Sequence, residues 1–272
     1  MEKAHWKREA DFFDAQAERR GEALSPIDPR ALDRYSSPSL RRRFAREFRL
    51  RTVGDLRGKS VLDVGCGEGS DTVLLALLGA ARVTGVDLSP KAIALARRRA
   101  AINGVADRVA LVCGPVETAE LPDGGFDVVW CNSILHHLTD DLDRVMRTLV
   151  RWTRAGGLLS FCEPVARSRT LRKARLLIPI RSGDCTPDER PLEPRDLAIL
   201  RRHLPDLTLR HFGLLGRIDR FVLTRWNYER SSLLRRGVVN VTGAADWLLL
   251  SLPLLDRLGS LSVMWGRRPL VE

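Results

Sequence analysis

The stretch of sequence that decides the fold is SVLDVGCGEG, residues 60–69, where an apolar run passes into three closely spaced glycines. Continuous apolar runs are typical of strands in a parallel sheet whose two faces are both covered by helices. Residues 70–78 have the character of a helix, and a second strand is predicted at RVTGVD, residues 82–87. A strand, a glycine loop, a helix and a second strand together predict a parallel βαβ unit.

The same alternation of strands and helices continues along the chain. Ser89 is placed to cap a helix whose first residue is Pro90, a favourable arrangement at a helix N-terminus. Further apolar runs predict strands at 108–113, 126–131 and 157–162, helices near 140–153 and 194–203, and two last strands at 208–215 and 261–266. We therefore predict an α/β fold, doubly wound around a mostly parallel sheet.

Segments on either side of this core are predicted to cover it. Residues 5–20 form a predicted helix, residues 24–39 a link that contains Pro and Ser, and residues 40–52 a basic helix. The roughly 45 residues before the last strand are mostly helical in character and too long for a hairpin turn. We interpret them as an insertion that helps to roof a substrate pocket. The predicted parts are an N-terminal helical lid (1–57), a core (58–165), and a cap with the last strands (166–272).

Charge and hydropathy weigh against two classes of protein. The net charge is +11, but the arginines are spread over the whole chain and no basic tract is interleaved with aromatic residues. A nucleic-acid partner is therefore not favoured. The longest apolar stretch, Trp247 to Leu255, is interrupted and falls short of the roughly 20 residues that span a bilayer. The first residues are charged rather than signal-like, so we predict no transmembrane segment and a cytoplasmic protein.

Nothing in the sequence predicts a metal site. The five cysteines include no CxxC pair, and no cluster of Asp, Glu and Asn has the spacing of oxygen ligands to a divalent metal. Four of the cysteines lie at or near the ends of predicted strands, where we expect them to pack as small apolar side chains: Cys66, Cys113, Cys131 and Cys162.

The glycine loop predicts a ligand site of a particular kind. Gly65, Gly67 and Gly69 follow a strand and precede a helix, so they permit a tight turn and a close approach of a ligand to the backbone. Their spacing is GxGxG, which differs from the GxGxxG of dinucleotide folds and from the P-loop. Asp87, at the end of the second strand, can accept hydrogen bonds from both hydroxyls of a ribose. A helix-capping role for Asp87 is the alternative, but Ser89 already fills it.

Four segments in this order give the sequence a family resemblance: DVGCGEG (63–69), GVDLSP (85–90), FDVVWCNSILHHL (126–138) and RAGGLL (154–159). With them the sequence resembles the class I, Rossmann-like, S-adenosylmethionine-dependent methyltransferases. It looks most like the branch that methylates small molecules in quinone and natural-product pathways. The resemblance implies S-adenosylmethionine as cofactor and a seven-stranded sheet whose last strand is antiparallel.

The resemblance also assigns cofactor-binding residues. It implies that Gly65, Gly67 and Gly69 shape the loop under the methionine part of the cofactor, and that Asp63 faces its ammonium group, usually through water. Asp87 would hold the ribose. The adenine edge would meet the backbone of Val116 and the side chain of Glu117, since Pro115 stands where many members carry an acidic residue. The remaining predicted cofactor-binding residues are Leu88 and Asn132.

The candidate catalytic residues follow the fourth and fifth strands. In open parallel sheets ligands bind at the carboxyl ends of the strands, where this chain places His136 and His137. Histidine can accept a proton near neutral pH, and we favour His136 as the base, with His137 facing the helix that follows. Glu163, just after the fifth strand, is expected to orient His136. The alternatives are that the histidines belong to the scaffold and that Glu163 is a solvated carboxylate at the strand end.

The expected reaction is methyl transfer to a small, lipophilic acceptor, with O-methylation favoured. N- or C-methylation, methylation of RNA, and a different reaction on the same fold, such as a cyclisation, remain alternatives. Apolar residues outside the core are candidates for the acceptor pocket or for the core of the insertion: Leu176, Leu177, Ile178, Trp226, Tyr228 and 247–255. Glu189 and Arg190 either reach the pocket mouth or are exposed.

Overall fold

The fold is built around one seven-stranded sheet. In the computed structural model, residues 2–20, 24–41, 43–166, 190–224 and 227–270 are described. The strands are β1 (Ser60–Val64), β2 (Arg82–Asp87), β3 (Val109–Cys113), β4 (Phe126–Asn132), β5 (Thr153–Pro164), β6 (Thr208–Phe212) and β7 (Leu261–Arg267). Their order in the sheet is β3-β2-β1-β4-β5-β7-β6. Strand β7 runs antiparallel to both of its neighbours, and the other pairs are parallel.

Helices lie before, between and after the strands. Among the described residues they are α1 (Glu2–Arg20), α2 (Pro29–Ser36), α3 (Ala45–Val53), α4 (Ser70–Leu77), α5 (Pro90–Ile102), α6 (Leu142–Trp152), α7 (Pro194–His203), α8 (Asp219–Val222) and α9 (Leu233–Leu249). The predicted link at 24–39 therefore contains a helix. The prediction missed α2 because Pro29 and the Ser residues look like loop signals, whereas Asp28 caps the helix by accepting from the amide of Arg30.

Both faces of the sheet are buried, as the apolar strands predicted. In β1, Leu62 belongs to the core cluster that includes Leu149 of α6 and Leu200 of α7. Its neighbour Val61 points to the opposite face and joins the cluster that includes Leu75 of α4. Successive residues of a strand alternate between faces, so a continuous apolar run is what a doubly wound sheet requires. The predicted α/β class is confirmed.

The N-terminal helices have two different roles. Helix α1 packs against α5, and Ala17 is its only described side chain that is fully buried. Helix α3 instead packs on the sheet through Leu50 and Val53. Structurally, α3 therefore contributes to the core, although the predicted lid extends to residue 57. The division of the chain into three parts stays a prediction.

The C-terminal segment closes the far edge of the sheet. Trp247 of α9 packs against Phe48 of α3 and Phe212 of β6, with ring centroids 5.6 and 6.2 Å away. Tyr228 lies under guanidinium groups, with that of Arg41 4.0 Å from its ring centre. These two residues therefore pack within and beneath the insertion, which was one of the two interpretations of their apolar character.

Two smaller observations complete the fold. None of the helices that the structure describes combines the length and the apolar composition needed to span a bilayer. Cys66, Cys131 and Cys162 are buried as expected, but Cys113 is exposed. The packing role predicted for Cys113 is wrong because it lies at the end of β3, the edge strand, where no further strand covers it.

Candidate active site

The backbone of the glycine loop borders a cavity. Gly65 and Gly67 have φ angles of 67° and 51°, in the left-handed region that side chains disfavour. The amides of Gly65 and Cys66 both donate to the carbonyl of Val86, at 2.8 and 3.0 Å, which ties the loop to the end of β2. A β-carbon on Gly67 would meet nothing within 4 Å, so the surface above this residue is open. The loop therefore presents backbone to a cavity.

Gly69 has a different function in the structure. It is the N-cap of α4, with φ of 77°, and a β-carbon there would lie 2.8 Å from that of Ala96 on α5. Gly65 and Gly67 line the cavity, whereas Gly69 does not. The close packing of α4 on α5 explains why position 69 is a glycine. The predicted contribution of Gly69 to cofactor binding stays a prediction.

Asp87 is positioned by the loop and by the next helix. One carboxylate oxygen accepts from the amide of Gly67 at 2.7 Å, and the other accepts from the amide of Ser89 at 2.9 Å. Burial raises the pKa of Asp87, and the two backbone hydrogen bonds oppose that shift. The helix cap itself is the Ser89 hydroxyl, which accepts from the amide of Ala92. Asp87 lines the cavity, and its oxygens keep acceptor capacity beyond these two bonds.

Asp63 lies beneath the loop rather than in the cavity wall. Its side chain is 1% exposed and accepts from the Thr72 hydroxyl at 2.6 Å. Burial and the nearby Asp71 raise the pKa of Asp63 to about 8, against the hydrogen bond from Thr72. A direct contact with a ligand is excluded by this position, and the contact through water implied by the resemblance stays a prediction.

The other predicted cofactor residues all line the same cavity. Leu88, Val116, Glu117 and Asn132 lie on its wall. Glu117 is oriented from above, because the indole nitrogen of Trp6 on α1 donates to its carboxylate at 3.3 Å. The predicted cofactor segments therefore meet at one cavity, although the sequence gave no sign that α1 would reach Glu117.

A buried glutamate holds the first of the two histidines. Glu163 is fully buried, and one of its oxygens lies 2.8 Å from Nδ1 of His136. Its other oxygen accepts from the amides of Ile134 and Leu135, at 2.9 and 3.0 Å. Ser133, with φ of 55°, turns the chain into this arrangement. The expected pairing of Glu163 with His136 is present, and the alternative of a solvated carboxylate is wrong.

His137 contacts the N-terminal helix. Its Nδ1 lies 3.3 Å from a carboxylate oxygen of Glu9, and its ring meets the ring of Phe13 edge-on at 5.6 Å. The expectation that His137 faces the following helix is therefore wrong. The chain between His137 and α6 makes short turns, and these leave the ring on the side covered by α1.

The cavity has a volume of about 810 Å³, within the range of small-molecule sites. Its lining includes His136 and His137 together with residues that sequence reasoning did not select: Trp6, Glu9, Phe13, Gln16, Ala17, Ile134, Leu138, Arg220 and Leu261. The sequence did not indicate that residues of α1 line the cavity, because helical spacing alone does not say which surface a helix will cover. Arg190, predicted as a candidate for the pocket mouth, also lines it.

Arg49 supports the site from below and was also missed. Its guanidinium is buried and donates to the carbonyls of Cys131 on β4 and Ser160 on β5, at 2.9 and 2.7 Å. A further donor lies 3.3 Å from the side-chain oxygen of Asn132. In the sequence Arg49 is one of several arginines in a basic helix, so nothing distinguishes it.

The other predicted lining residues either do not line the cavity or lie outside the described residues. Tyr228 and residues 247–255 are not part of its wall. Leu176, Leu177, Ile178, Glu189 and Trp226 lie outside the described residues. Within the described ranges no group of three or more His, Cys, Asp or Glu side chains is arranged to hold a metal ion.

A protein-family model matches a part of the chain that contributes to this cavity. Residues 61–157 match the family described as methyltransferase domain, the stretch that contains the glycine loop, Asp87 and His136. Residues 61–157 are a methyltransferase domain. S-adenosylmethionine is the methyl donor in class I domains of this kind, as the resemblance implied.

Part of the chain is also similar to curated proteins. The chain is 40% identical over 108 residues to the ubiquinone biosynthesis O-methyltransferase of Neisseria meningitidis serogroup C (strain 053442), which covers 39% of this chain and 44% of that protein. It is 37% identical over 103 residues to the 27-O-demethylrifamycin SV methyltransferase of Amycolatopsis mediterranei (strain S699), with 38% of each covered. The chain therefore spans less than half the length of these relatives.

The likeness to solved structures is one of fold. The geranyl diphosphate C-methyltransferase from Streptomyces coelicolor A3(2) has a TM-score of 0.56 at 18% identity, with 98% of both chains covered. The seven strands and the antiparallel β7 implied by the resemblance are confirmed.

Proposed function

We propose that the protein transfers a methyl group from S-adenosylmethionine to a small, lipophilic acceptor, and that the acceptor atom is a hydroxyl oxygen. The observation that carries this proposal is the pair formed by His136 and Glu163 in the wall of the cavity that the glycine loop and Asp87 also line. A base held by a buried carboxylate is useful when a proton must leave the acceptor, as in O-methylation.

The residues of the cavity fit the cofactor. The open surface above Gly67 gives room for the methionine part, and Asp87 retains acceptor capacity for ribose hydroxyls. Leu88 and Val116 offer apolar contacts to an adenine ring, and Glu117 offers an acceptor to its edge. When bound, the sulfonium supplies a methyl group that is already activated. The chain therefore has to align the acceptor with this group.

His136 is oriented to take the proton of the acceptor. Glu163 is an acceptor for the Nδ1 proton, so its charge favours the tautomer in which Nε2 is the basic nitrogen. The two amide hydrogen bonds to the other Glu163 oxygen fix the carboxylate in place. Once His136 has taken a proton, the buried charge of Glu163 stabilises the imidazolium.

The remaining wall supports an apolar acceptor. Phe13, Ile134, Leu138 and Leu261 contribute apolar surface, and such a lining suits a lipophilic molecule with few polar groups. The relatives named above carry O-methyltransferase and rifamycin methyltransferase names. They support the class of acceptor.

The decisive test is the identification of methylated products. Purified protein is incubated with labelled S-adenosylmethionine and a panel of phenols, hydroxyquinones, lipophilic amines and carbon acids, and products are located by mass spectrometry. Methyl ethers are the expected products. Methylated nitrogen or carbon, or an unmethylated rearranged product, would contradict O-methylation, and labelling of RNA alone would contradict a small-molecule acceptor.

The cofactor site is tested separately with two matched glycine variants. Gly67 and Gly104 both have positive φ and open space around a β-carbon, but only Gly67 lines the cavity. Gly67→Val should weaken S-adenosylmethionine binding at least about tenfold in calorimetry, because the branched side chain covers the backbone that the ligand approaches. Gly104→Val should show comparable backbone strain with normal affinity. Equal affinity of both variants would remove the loop from the cofactor site.

A further inference from the structure

The outer face of α9 and the turn after it are unusually apolar for a surface. Leu234, Val241 and Leu248 of the helix are 80%, 70% and 68% exposed, and Leu254 in the turn is 78% exposed. Helix spacing places Leu234, Val238, Val241 and Leu248 along one side. Large exposed apolar patches on soluble proteins mark interaction sites more often than chance. We call the exposed Leu248, Leu252 and Leu254 the leucine edge.

The inward face of α9 is already used. Val239, Gly243 and Asp246 are buried, and the Asp246 carboxylate accepts from the amides of Gly213, Leu214, Leu215 and Gly216. The one acidic residue of α9 is therefore turned inward. The outward face keeps apolar side chains and, at its N-terminal end, the exposed Arg235.

A cationic cleft lies beside the leucine edge. Its volume is about 710 Å³, and Arg201, Arg210 and Arg257 line it together with Thr208, His211, Ser251 and Asp256. Ser251 and Pro253 of the cleft wall alternate in sequence with Leu252 and Leu254 of the leucine edge. The cleft and the apolar surface are thus two sides of the same turn.

Arg210 has hydrogen-bonding capacity that the protein does not use. Its guanidinium stacks on Trp247 at 4.0 Å, and one terminal nitrogen donates to the Trp247 carbonyl and the Ser251 hydroxyl. Its Nε is buried without a hydrogen-bond partner in the described part of the chain. Burial lowers the pKa of this guanidinium. Arg210 thus adds positive charge to a cleft that the exposed Arg201 and Arg257 also line, and a group of arginines suits an oxyanion such as a phosphate group.

We propose that this face docks on the surface of an anionic phospholipid bilayer. The leucine edge enters the boundary between headgroups and acyl chains, and the arginines of the cleft contact lipid phosphates. Apolar residues flanked by arginine are the pattern by which interfacial helices bind anionic membranes. The net charge of +11 acts in the same direction. This inference does not depend on methyl transfer.

Charge favours a bilayer over a second copy of the chain. A two-fold contact through the leucine edge would bring the arginines of one cleft close to those of its partner, and like charges oppose association. An anionic bilayer neutralises the same arginines. Leu248, Leu254, Arg201 and Arg257 are exposed, so replacing them should leave the fold intact.

The test is flotation of the full chain with vesicles at moderate ionic strength. One set of vesicles contains phosphatidylcholine alone, and the other contains phosphatidylcholine with phosphatidylglycerol. We expect binding to the anionic vesicles at least about tenfold stronger than to the neutral ones, and reduced by added salt. Leu248→Ser with Leu254→Ser, and separately Arg201→Gln with Arg257→Gln, should each weaken it at least about tenfold. Circular dichroism melting should show unchanged folding.

Matched controls use an exposed leucine and exposed arginines outside this face. Leu270→Ser with Arg97→Gln and Arg98→Gln removes similar groups elsewhere on the surface and should leave vesicle binding unchanged. If the controls lose as much vesicle binding, the loss reflects net charge alone, and the proposal is overturned. It would also be overturned by absent vesicle binding, by inorganic phosphate binding to the cleft without vesicle binding, or by a dimer in light scattering that the leucine variants abolish.

Discussion

At the scale of single residues, the arrangement of Glu163 and His136 makes a specific kinetic prediction. His136→Ala should lower turnover by roughly 10²–10⁴-fold while the affinity for S-adenosylmethionine stays near normal. Glu163→Gln should also lower turnover, because an amide that donates to Nδ1 favours the tautomer whose Nε2 carries the proton. His137→Ala is the matched control, since this ring lines the same cavity.

The measurement that separates these effects is the single-turnover rate of the three variants across pH, with cofactor binding measured by calorimetry. The proposed base predicts that the rate of the wild type rises with pH and that the rate of His136→Ala does not follow it. Loss of cofactor binding in His136→Ala would move this residue to the cofactor pocket. Full activity would leave the role as a base without support.

A second residue-scale prediction concerns the buried carboxyl of Asp63. Its pKa is raised to about 8 in the folded protein, whereas an unfolded aspartate titrates near its ordinary value of about 3.9. Between these values the folded state binds more protons than the unfolded state, so the free energy of unfolding falls as pH rises. This contribution is complete below about pH 4 and is lost as pH rises through about 8.

Asp63→Asn removes the titrating proton and keeps a hydrogen-bonding side chain next to Thr72. Urea unfolding between pH 5 and pH 8.5 should therefore show a smaller loss of stability in the variant than in the wild type. Asp127→Asn, at a more exposed carboxyl, is the matched control for the replacement of one Asp by Asn. An identical slope in the wild type and in Asp63→Asn would mean that Asp63 is ionised in the folded protein.

At the scale of elements, helix α1 is part of the site but contributes little to the core. It supplies Trp6, Glu9, Phe13, Gln16 and Ala17 to the cavity wall. The carboxylate of Asp14 accepts from the Ser89 hydroxyl and from the amide of Lys91 at the start of α5. Polar contacts of this kind permit separation of an element at a low free energy. Helix α1 should therefore affect ligand binding more than overall stability.

Two alanines of α1 allow this to be tested. Ala17 is 2% exposed and packs near Ala92 and Leu95 of α5, whereas Ala15 is exposed. Ala17→Asp should displace the helix and weaken cofactor binding, with a small change in melting temperature, because a charge cannot be buried there without a partner. Ala15→Asp should change neither quantity. A large drop in melting temperature with normal affinity would instead make α1 a structural element of the core.

At the scale of the whole molecule, one aromatic cluster joins α3, in the N-terminal part of the chain, to the C-terminal elements. Phe48 of α3 contacts Phe212 of β6, Trp247 of α9 and Trp265 of β7. Arg34 of α2 adds ion pairs to Glu47 of α3 and to Glu229 of the C-terminal segment, at 2.5 and 2.6 Å. Contacts of this density couple the segments, so the described parts should unfold together.

Phe48→Ala should lower the free energy of unfolding by about 3–5 kcal/mol and leave a single transition at a lower temperature. Phe221, which is exposed, provides the control: Phe221→Ala should cost little. Calorimetry with circular dichroism at two wavelengths checks both. Two separate transitions in the wild type would show that the terminal segments unfold independently of the sheet.

The sequence by itself determined the core of this protein. Each strand could be located from its own apolar run, and the loop at 65–69 and the cap at Ser89 depend on residues only a few positions apart. Even the meeting of His136 with Glu163 was predictable, because β4 and β5 are neighbours and parallel strands end at one edge. Local sequence is sufficient in these cases because the interactions are local or follow from sheet topology.

Only the tertiary structure decided which distant segments complete the site. The packing of α1 over the cavity places Trp6 at Glu117 and Glu9 at His137. The burial of Arg49 against β4 and β5 is likewise not predicted by any pattern in a helix rich in arginine. These contacts join residues far apart in the chain, and they depend on the angles at which helices pack on the sheet. Periodicity says that a helix has an apolar face, but not which surface that face will meet.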